Sequence, residues 1–265
     1  MTEPTKVCLT IAGLDPSGGA GILADIKTFS AFGCFGTAVI SSITFQNTSG
    51  VFGFVHQSPE SVRGQLEPIL NDLHVDALKT GMLPSSEVIS ETARLINENH
   101  LKHLVVDPVV RSTSGFDLID DSALRVLIEL LFPLADLITP NIPEAERISG
   151  VAIASRNDIE KAARIMQGMG AANVLIKGGH TPGNRSADDI LFLGDEMHIF
   201  EGEYIETTAT HGTGCTLSAA ITANLSLGNS MVGSVRIAKE FVTEAIRTAP
   251  NIGHGHSPIN HLARF

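Results

Sequence analysis

The stretch "SSEVISETARLINENHLKHLVVDPVV", residues 85–110, decides the fold. Residues 85–99 spread apolar positions through a polar segment, as an amphipathic helix does. Residues 103–110 form a short, nearly continuous apolar run, which is how a strand covered on both faces reads. The same alternation runs outward in both directions. "KVCLTIAG" (6–13), "GTAVISSITFQ" (36–46) and "DALKTG" (76–81) precede it as strands, and "ADLITPN" (135–141) and "NVLIKGG" (173–179) follow it. Further helices are predicted over 59–72, 121–131 and 155–170. The first of these has a clear start, with Ser58 as N-cap, Pro59 at the first helical position and Glu60 in the first turn. Repeated strand–helix order with apolar strands implies an α/β layer sandwich, a mostly parallel sheet with helices on both faces. The exception is "SADDILFLGDEMHIFEGEYI" (186–205), where two apolar runs flank "GDE" and predict a hairpin at one sheet edge.

Composition bounds the rest. The 265 residues, 43% of them hydrophobic, suffice for one substantial core, so a single domain over 1–265 is expected. With 29 acidic against 18 basic residues the formal charge is -11, and no Lys/Arg cluster interrupts it. Nucleic acid and anionic membrane are therefore excluded as partners, and small molecules fit better. Cys8, Cys34 and Cys215 make an odd count with no CxxC pair, which points to a reducing compartment, the cytoplasm, and away from disulfides or zinc. The opening "MTEPTKVCLTIAG" lacks a basic region followed by a long apolar one, and no window of about 18 apolar residues occurs, so a soluble protein is expected.

In such a sheet ligands gather at the carboxyl ends of the strands. The loops there read "GLDPSGGAG", "QNTSG", "TGML", "DPVVRSTSG", "TPNIPEAE", "KGGH" and "HGTGC". All are rich in Gly, Pro and small polar residues, and together they supply carboxylates, amides, a lysine and a thiol. "HGTGC" stands directly before a predicted helix. Backbone N–H groups of Gly212, Thr213, Gly214 and Cys215 at a helix start lack intrahelical partners and can cradle an anion. No G-x-x-x-x-G-K-[ST] occurs, which excludes the ordinary P-loop.

Taken in order, "TIAGLDPSGGAGILADIKTFSAFGCFG", "QNTSGV", "KTGML", "VVDPVV", "LITPNIPEAE", "LIKGGH" and "THGTGCTLSAAI" resemble the hydroxymethylpyrimidine and phosphomethylpyrimidine kinases of thiamine biosynthesis, within the ribokinase-like superfamily. The likeness runs from about residue 6 to the "PINH" that ends at residue 261. It implies a ribokinase-like three-layer sandwich and ATP- and Mg²⁺-dependent phosphorylation of 4-amino-5-hydroxymethyl-2-methylpyrimidine, then of its monophosphate to the pyrophosphate. A homodimer is expected.

Phosphoryl transfer depends mainly on positioning and on neutralising the transferring group. "HGTGC" is assigned the neutralisation. Cys215 stands where most ribokinase-like enzymes have aspartate, and a thiol at a helix N-terminus is expected to have a lowered pKa and to accept the substrate's hydroxyl proton. The resemblance places Glu144 of N-x-x-E near a water-bound Mg²⁺, and Asp107 is the second acid of that shell. Magnesium needs few protein carboxylates. Lys177 is placed to reach the nucleotide phosphates, with Asn141 and His211 beside the nucleotide. Gln46 carries an amide that can match an aminopyrimidine edge with two hydrogen bonds. The resemblance makes it the pyrimidine reader, with Asp25, the backbone at Ala20, and Val109 as further contacts and Met82 packed on the ring. Phe45 departs from the alanine usual before Gln-Asn-Thr, either reshaping the pocket or pointing into the core. His254, His256 and His261 of the tail read as a loop folding back beside the nucleotide, with metal ligation as the other reading.

Other readings stay open. A pyridoxal kinase of vitamin B6 salvage would use the same thiol loop, and Gln46 favours the pyrimidine. A thiol hydrolase would pair Cys215 with His211 but leave Lys177 and Glu144 idle. A ligand sensor would have lost "HGTGC", Lys177 or Glu144, all of which are present. Each residue also has a structural role available: Cys8 and Cys34 as core thiols, Met82 as core, Asp107 as a turn cap, Asp25 as a solvated helix position.

Overall fold

A computed structural model describes residues 4–110, 117–178 and 187–264. Strands β1 (Val7–Leu14), β2 (Phe35–Asn47), β3 (Gly50–His56), β4 (Ala77–Thr80), β5 (Leu104–Val106), β6 (Leu137–Ile138), β7 (Asn173–Ile176), β8 (Asp189–Leu193) and β9 (Glu196–Phe200) form one sheet in the order β3-β2-β1-β4-β5-β6-β7-β8-β9. From β2 to β7 neighbouring strands are parallel. The β8–β9 hairpin closes one edge antiparallel, as its sequence predicts. At the other edge β3 pairs antiparallel with β2, where the sequence reading leaves only a loop. Gly50 and Gly53 interrupt β3, and its side chains are mostly exposed, so the strand lacks an alternating pattern. The parts of the expected "DPVVRSTSG" and "KGGH" loops at 111–115 and 179–180, and the residue at 186, lie outside the described residues.

Helices α1 (Gly21–Ala31), α2 (Pro59–Asp72), α3 (Ser86–Glu98), α4 (Asp121–Leu131), α5 (Ile142–Ser149), α6 (Arg156–Gly168), α7 (Thr213–Ser226) and α8 (Met231–Arg247) cover both faces. Period-two alternation along the strands divides the core between them. Leu104 and Val106 pack with Val62, Ile89, Leu127, Ala145 and Ala163 of α2–α6. Between them Val105 points the other way, to Leu217, Ile221 and Phe241 of α7 and α8. On that second face Cys8 and Cys34 are buried with Phe29 of α1 and Ala219 and Ala223 of α7, and both thiols contact the Ser226 hydroxyl. They are core thiols.

This arrangement fixes the site in two ways. The chain leaves β1 for β2 and β3, then returns through α2 to β4 on the other side of β1, so the loops after β1 and β4 diverge and leave a crevice. Helix α7 is buried along its length from Thr216 to Ser226, consistent with its small and apolar composition on every side. Its N-terminus is therefore held rigidly at the carboxyl ends of the strands.

Candidate active site

A cavity of about 1370 Å³ lies in that crevice, larger than one small ligand requires. Of the residues singled out in the sequence, Gln46, Ala20, Met82, Val109, Asp107, Asn141, Glu144, Lys177, His211, Gly212, Thr213, Gly214 and Cys215 all line it. Topology brings them together from the ends of β1, β2, β4, β5, β6, β7 and the start of α7.

The cradle is built from what α7 lacks. Ser58, Ser85, Asp120, Asn141, Ser155 and Ser230 each accept a backbone N–H at the start of their helices, whereas α1 and α7 have no side-chain cap. Both uncapped ends face the cavity, at Ala20 and at Gly212. Gly212 is left-handed with φ 81, and a Cβ there would stand 1.8 Å from the Gly19 carbonyl oxygen. Only glycine allows the two loops to approach so closely. A Cβ on Gly214 would meet the Lys177 ammonium at 3.2 Å, so that cation lies directly against the cradle.

Lys177 donates to Asp107 Oδ1 at 2.8 Å, and the Thr139 hydroxyl donates to the same oxygen at 3.3 Å. Burial works against the Lys177 charge, but Asp107 and then Glu144 hold its pKa above the usual lysine value. Glu144 forms a capping box with Asn141: its Oε2 accepts the Asn141 N–H at 2.9 Å, and Asn141 Oδ1 accepts the Glu144 N–H at 2.9 Å. The N-x-x-E spacing thus has a local cause as a helix start. Burial, opposed by Lys177, raises the Glu144 pKa to about 7. Asp107 and Glu144 suit a magnesium ion that keeps water and phosphate oxygens as its other ligands. Among the described residues no cluster of three or more His, Cys, Asp or Glu could hold a metal by itself. Such an ion, when bound, would neutralise phosphate charge.

Cys215 corrects an expectation. Burial pushes its pKa up to about 11, although Lys79 and a Gly21 backbone N–H act the other way. The helix start does not win because the thiol is desolvated and Asp107 and Asp25 stand nearby. Asp25 is a second correction. Fully buried, it does not line the cavity but accepts Thr10 Oγ1 at 2.7 Å and Lys79 Nζ at 2.9 Å on both oxygens. Lys79, also fully buried, is the group that reaches the cavity wall. Burial opposes the Lys79 ammonium, yet Asp25, together with Cys215 and Asp107, raises its pKa above the usual lysine value. Phe45 is a third: it is 52% exposed and packs over Gly53, neither in the pocket nor in the core. A bulge between Phe45 and Gln46 shifts the strand register just where the amide meets the cavity.

The tail folds back onto Thr48 and Thr210. The N–H groups of His254 and Gly255 donate to Thr48 Oγ1, that of His256 donates to the Thr48 carbonyl, and Thr210 Oγ1 lies 3.3 Å from His256 Nδ1. His261 is buried beside the Thr216 hydroxyl, and burial lowers its pKa to about 4. Sequence reasoning missed Lys79 and Asp15. Both were visible signals: a lysine inside the buried strand "ALKT", and an aspartate between glycines in "GLDPSGGAG".

Among the described residues no helix is long and apolar enough to cross a membrane. The hydroxymethylpyrimidine/phosphomethylpyrimidine kinase of Bacillus subtilis (strain 168) is 45% identical over 255 residues, 96% of this chain and 94% of that one. The ADP complex of Bacillus subtilis pyridoxal kinase has a TM-score of 0.90 at 37% identity, covering 98% of each chain. Phosphomethylpyrimidine kinase from Clostridium difficile 630 has a TM-score of 0.81 at 42% identity over 91% of this chain and 100% of that one. The fold is the ribokinase-like sandwich. Residues 15–260 match the family model described as Phosphomethylpyrimidine kinase, and the chain belongs to that family of phosphotransferases.

Proposed function

We propose that the chain transfers a phosphoryl group from ATP to the hydroxymethyl of 4-amino-5-hydroxymethyl-2-methylpyrimidine and then to the resulting monophosphate, for thiamine biosynthesis. The observation that carries this reading is that one cavity is lined by Gln46 and Met82 as well as by Lys177 and the uncapped start of α7. Gln46 reads the aminopyrimidine edge, and Met82, only 7% exposed, packs on the ring. Backbone N–H groups of Gly212, Gly214 and Cys215 and the Lys177 ammonium hold the charge that develops on the transferring group, while the Thr213 N–H already donates to the Thr210 carbonyl at 3.4 Å. Asp107 and Glu144 would hold the Mg²⁺. Cys215, at the start of α7, takes the hydroxyl proton in its thiolate form, which the raised pKa makes a minor species near neutrality.

Pyridoxal is a second acceptor to test, since the pyridoxal kinase named above shares the fold over nearly the whole chain. A kinase panel with ATP–Mg²⁺ and pyrimidine alcohol, pyrimidine monophosphate or pyridoxal decides between them. ADP release with both pyrimidines is expected; turnover of pyridoxal alone would overturn the reading. The proposal includes a cytoplasmic site, consistent with three unpaired cysteines, and a homodimer, testable by light scattering.

A further inference from the structure

The cavity wall contains a buried carboxylate that the chemistry above leaves unused. Asp15, 1% exposed, lies at the end of β1 and receives five hydrogen-bonding contacts. Oδ1 accepts the Ser17 N–H at 2.8 Å and the Ser17 hydroxyl at 2.7 Å. Oδ2 accepts the N–H groups of Gly19 at 3.2 Å and Ala20 at 2.9 Å, and stands 2.7 Å from His211 Nε2. An ionised carboxylate only accepts, so His211 Nε2 carries the proton. Burial works against the Asp15 charge, but His211 and Ser17 hold its pKa below the usual carboxylate value.

One side chain thereby ties two loops. The first carries Ala20 and Gly21 on the acceptor side; the second runs from His211 into the cradle. The contact between them is close enough to exclude side chains. A Cβ on Gly19 would stand 2.3 Å from His211 Cδ2, and one on Gly212 would strike the Gly19 carbonyl. From behind, the tail supports His211 through its N–H to the Ser257 carbonyl at 3.3 Å.

We infer that Asp15, acting through His211, is a positioning residue for phosphoryl transfer, fixing the acceptor-side loop against the anion cradle so that hydroxyl, thiol and cradle keep one geometry. A misplacement of about 1 Å in such a site can cost on the order of 100-fold in rate. The inference rests on the kinase reading above for its rate measurements, and on thiol chemistry for an independent arm.

The test uses the full chain and its Asp15→Asn, His211→Gln and His211→Ala variants. With ATP–Mg²⁺ and whichever alcohol the parent turns over, kcat should fall about 10- to 100-fold in Asp15→Asn and His211→Ala while KM for ATP changes less than about threefold. His211→Gln, whose amide N–H can reach the same carboxylate, should retain several-fold more kcat than His211→Ala. Equal kcat for the Gln and Ala variants, or an unchanged kcat in Asp15→Asn, overturns the inference. A parent that phosphorylates no alcohol refutes the kinase reading instead, and the second arm still decides the clamp. In it, iodoacetamide labelling is followed by mass spectrometry at each cysteine. Loosening the clamp should speed alkylation of Cys215 at least fivefold and leave the core thiols Cys8 and Cys34 unlabelled. Unchanged Cys215 labelling, or equal acceleration at all three thiols, overturns it, because the latter reports global opening.

Discussion

Replacing Asp25 by alanine should act on the stability of the chain and not on pyrimidine recognition. The Asp25 carboxylate and the Lys79 ammonium are both fully buried, with Nζ 2.9 Å from each oxygen. Removing the carboxylate leaves a desolvated cation with no equal partner, and strands the Thr10 hydroxyl that donates to it. Breaking a buried pair from one side costs about 3–5 kcal/mol. At about 2–4 °C per kcal/mol for a chain of this size, Tm should drop by roughly 6–20 °C. Removing the charge as well should return much of the loss, so Asp25→Ala/Lys79→Met should melt above Asp25→Ala, with a coupling of about 1–3 kcal/mol in the double-mutant cycle. Differential scanning calorimetry on the four proteins at one pH measures all of this. If Asp25→Ala keeps its Tm within about 2 °C and loses only pyrimidine affinity, Asp25 belongs to the cavity wall and the ion-pair argument fails.

Cys215→Ala should keep fold and nucleotide binding while kcat falls by a factor on the order of 10²–10⁴, with partial recovery in Cys215→Asp. Because burial lifts the thiol to about 11, kcat of the parent should climb as pH rises above neutrality; near-parental turnover in Cys215→Ala would show that the backbone cradle alone carries the rate. Gln46→Ala should lower kcat/KM for the pyrimidine by roughly 1–3 kcal/mol and leave KM for ATP unchanged, as steady-state kinetics with each substrate varied would show. Glu144 has a folded pKa of about 7, above its ordinary value of 4.5, so the folded state binds the extra proton and the group's favourable contribution is lost as pH rises through about 7. Calorimetry from pH 5 to 8 should therefore find Tm falling more steeply in the parent than in Glu144→Gln; parallel curves would remove Glu144 as a titrating buried acid.

Much of this is legible in the sequence. The parallel order came from strands such as "LVV" that are apolar on successive residues, because helices cover both faces and neither side of the pleat needs a polar residue. The helix over Pro59–Asp72 was marked by its own cap and proline. The loops at the strand ends could be named as the site because parallel sheets collect ligands there whatever their length or spacing in sequence.

What escaped the sequence depends on distance in space. β3 was hidden because an edge strand has little burial to write an alternating pattern. The capping-box origin of Asn141 and Glu144 was local and could have been read; the burial that lifts Glu144 was not, since it depends on what packs around the helix start, with Lys177 opposing it and Asp107 adding to it from the ends of other strands. Asp15 and His211 lie 196 residues apart, and Lys79 and Asp25 lie 54 apart. Residue identity alone determined which chemistry the loops could supply, because carboxylate, amide, ammonium and thiol carry their reactivity with them. Only the tertiary structure decided which of them are buried together, and in a buried site the balance of desolvation against neighbouring charge sets the state of each: the Asp25 carboxylate keeps Lys79 charged against its burial, and burial turned Cys215 from the expected low-pKa thiol into a high one.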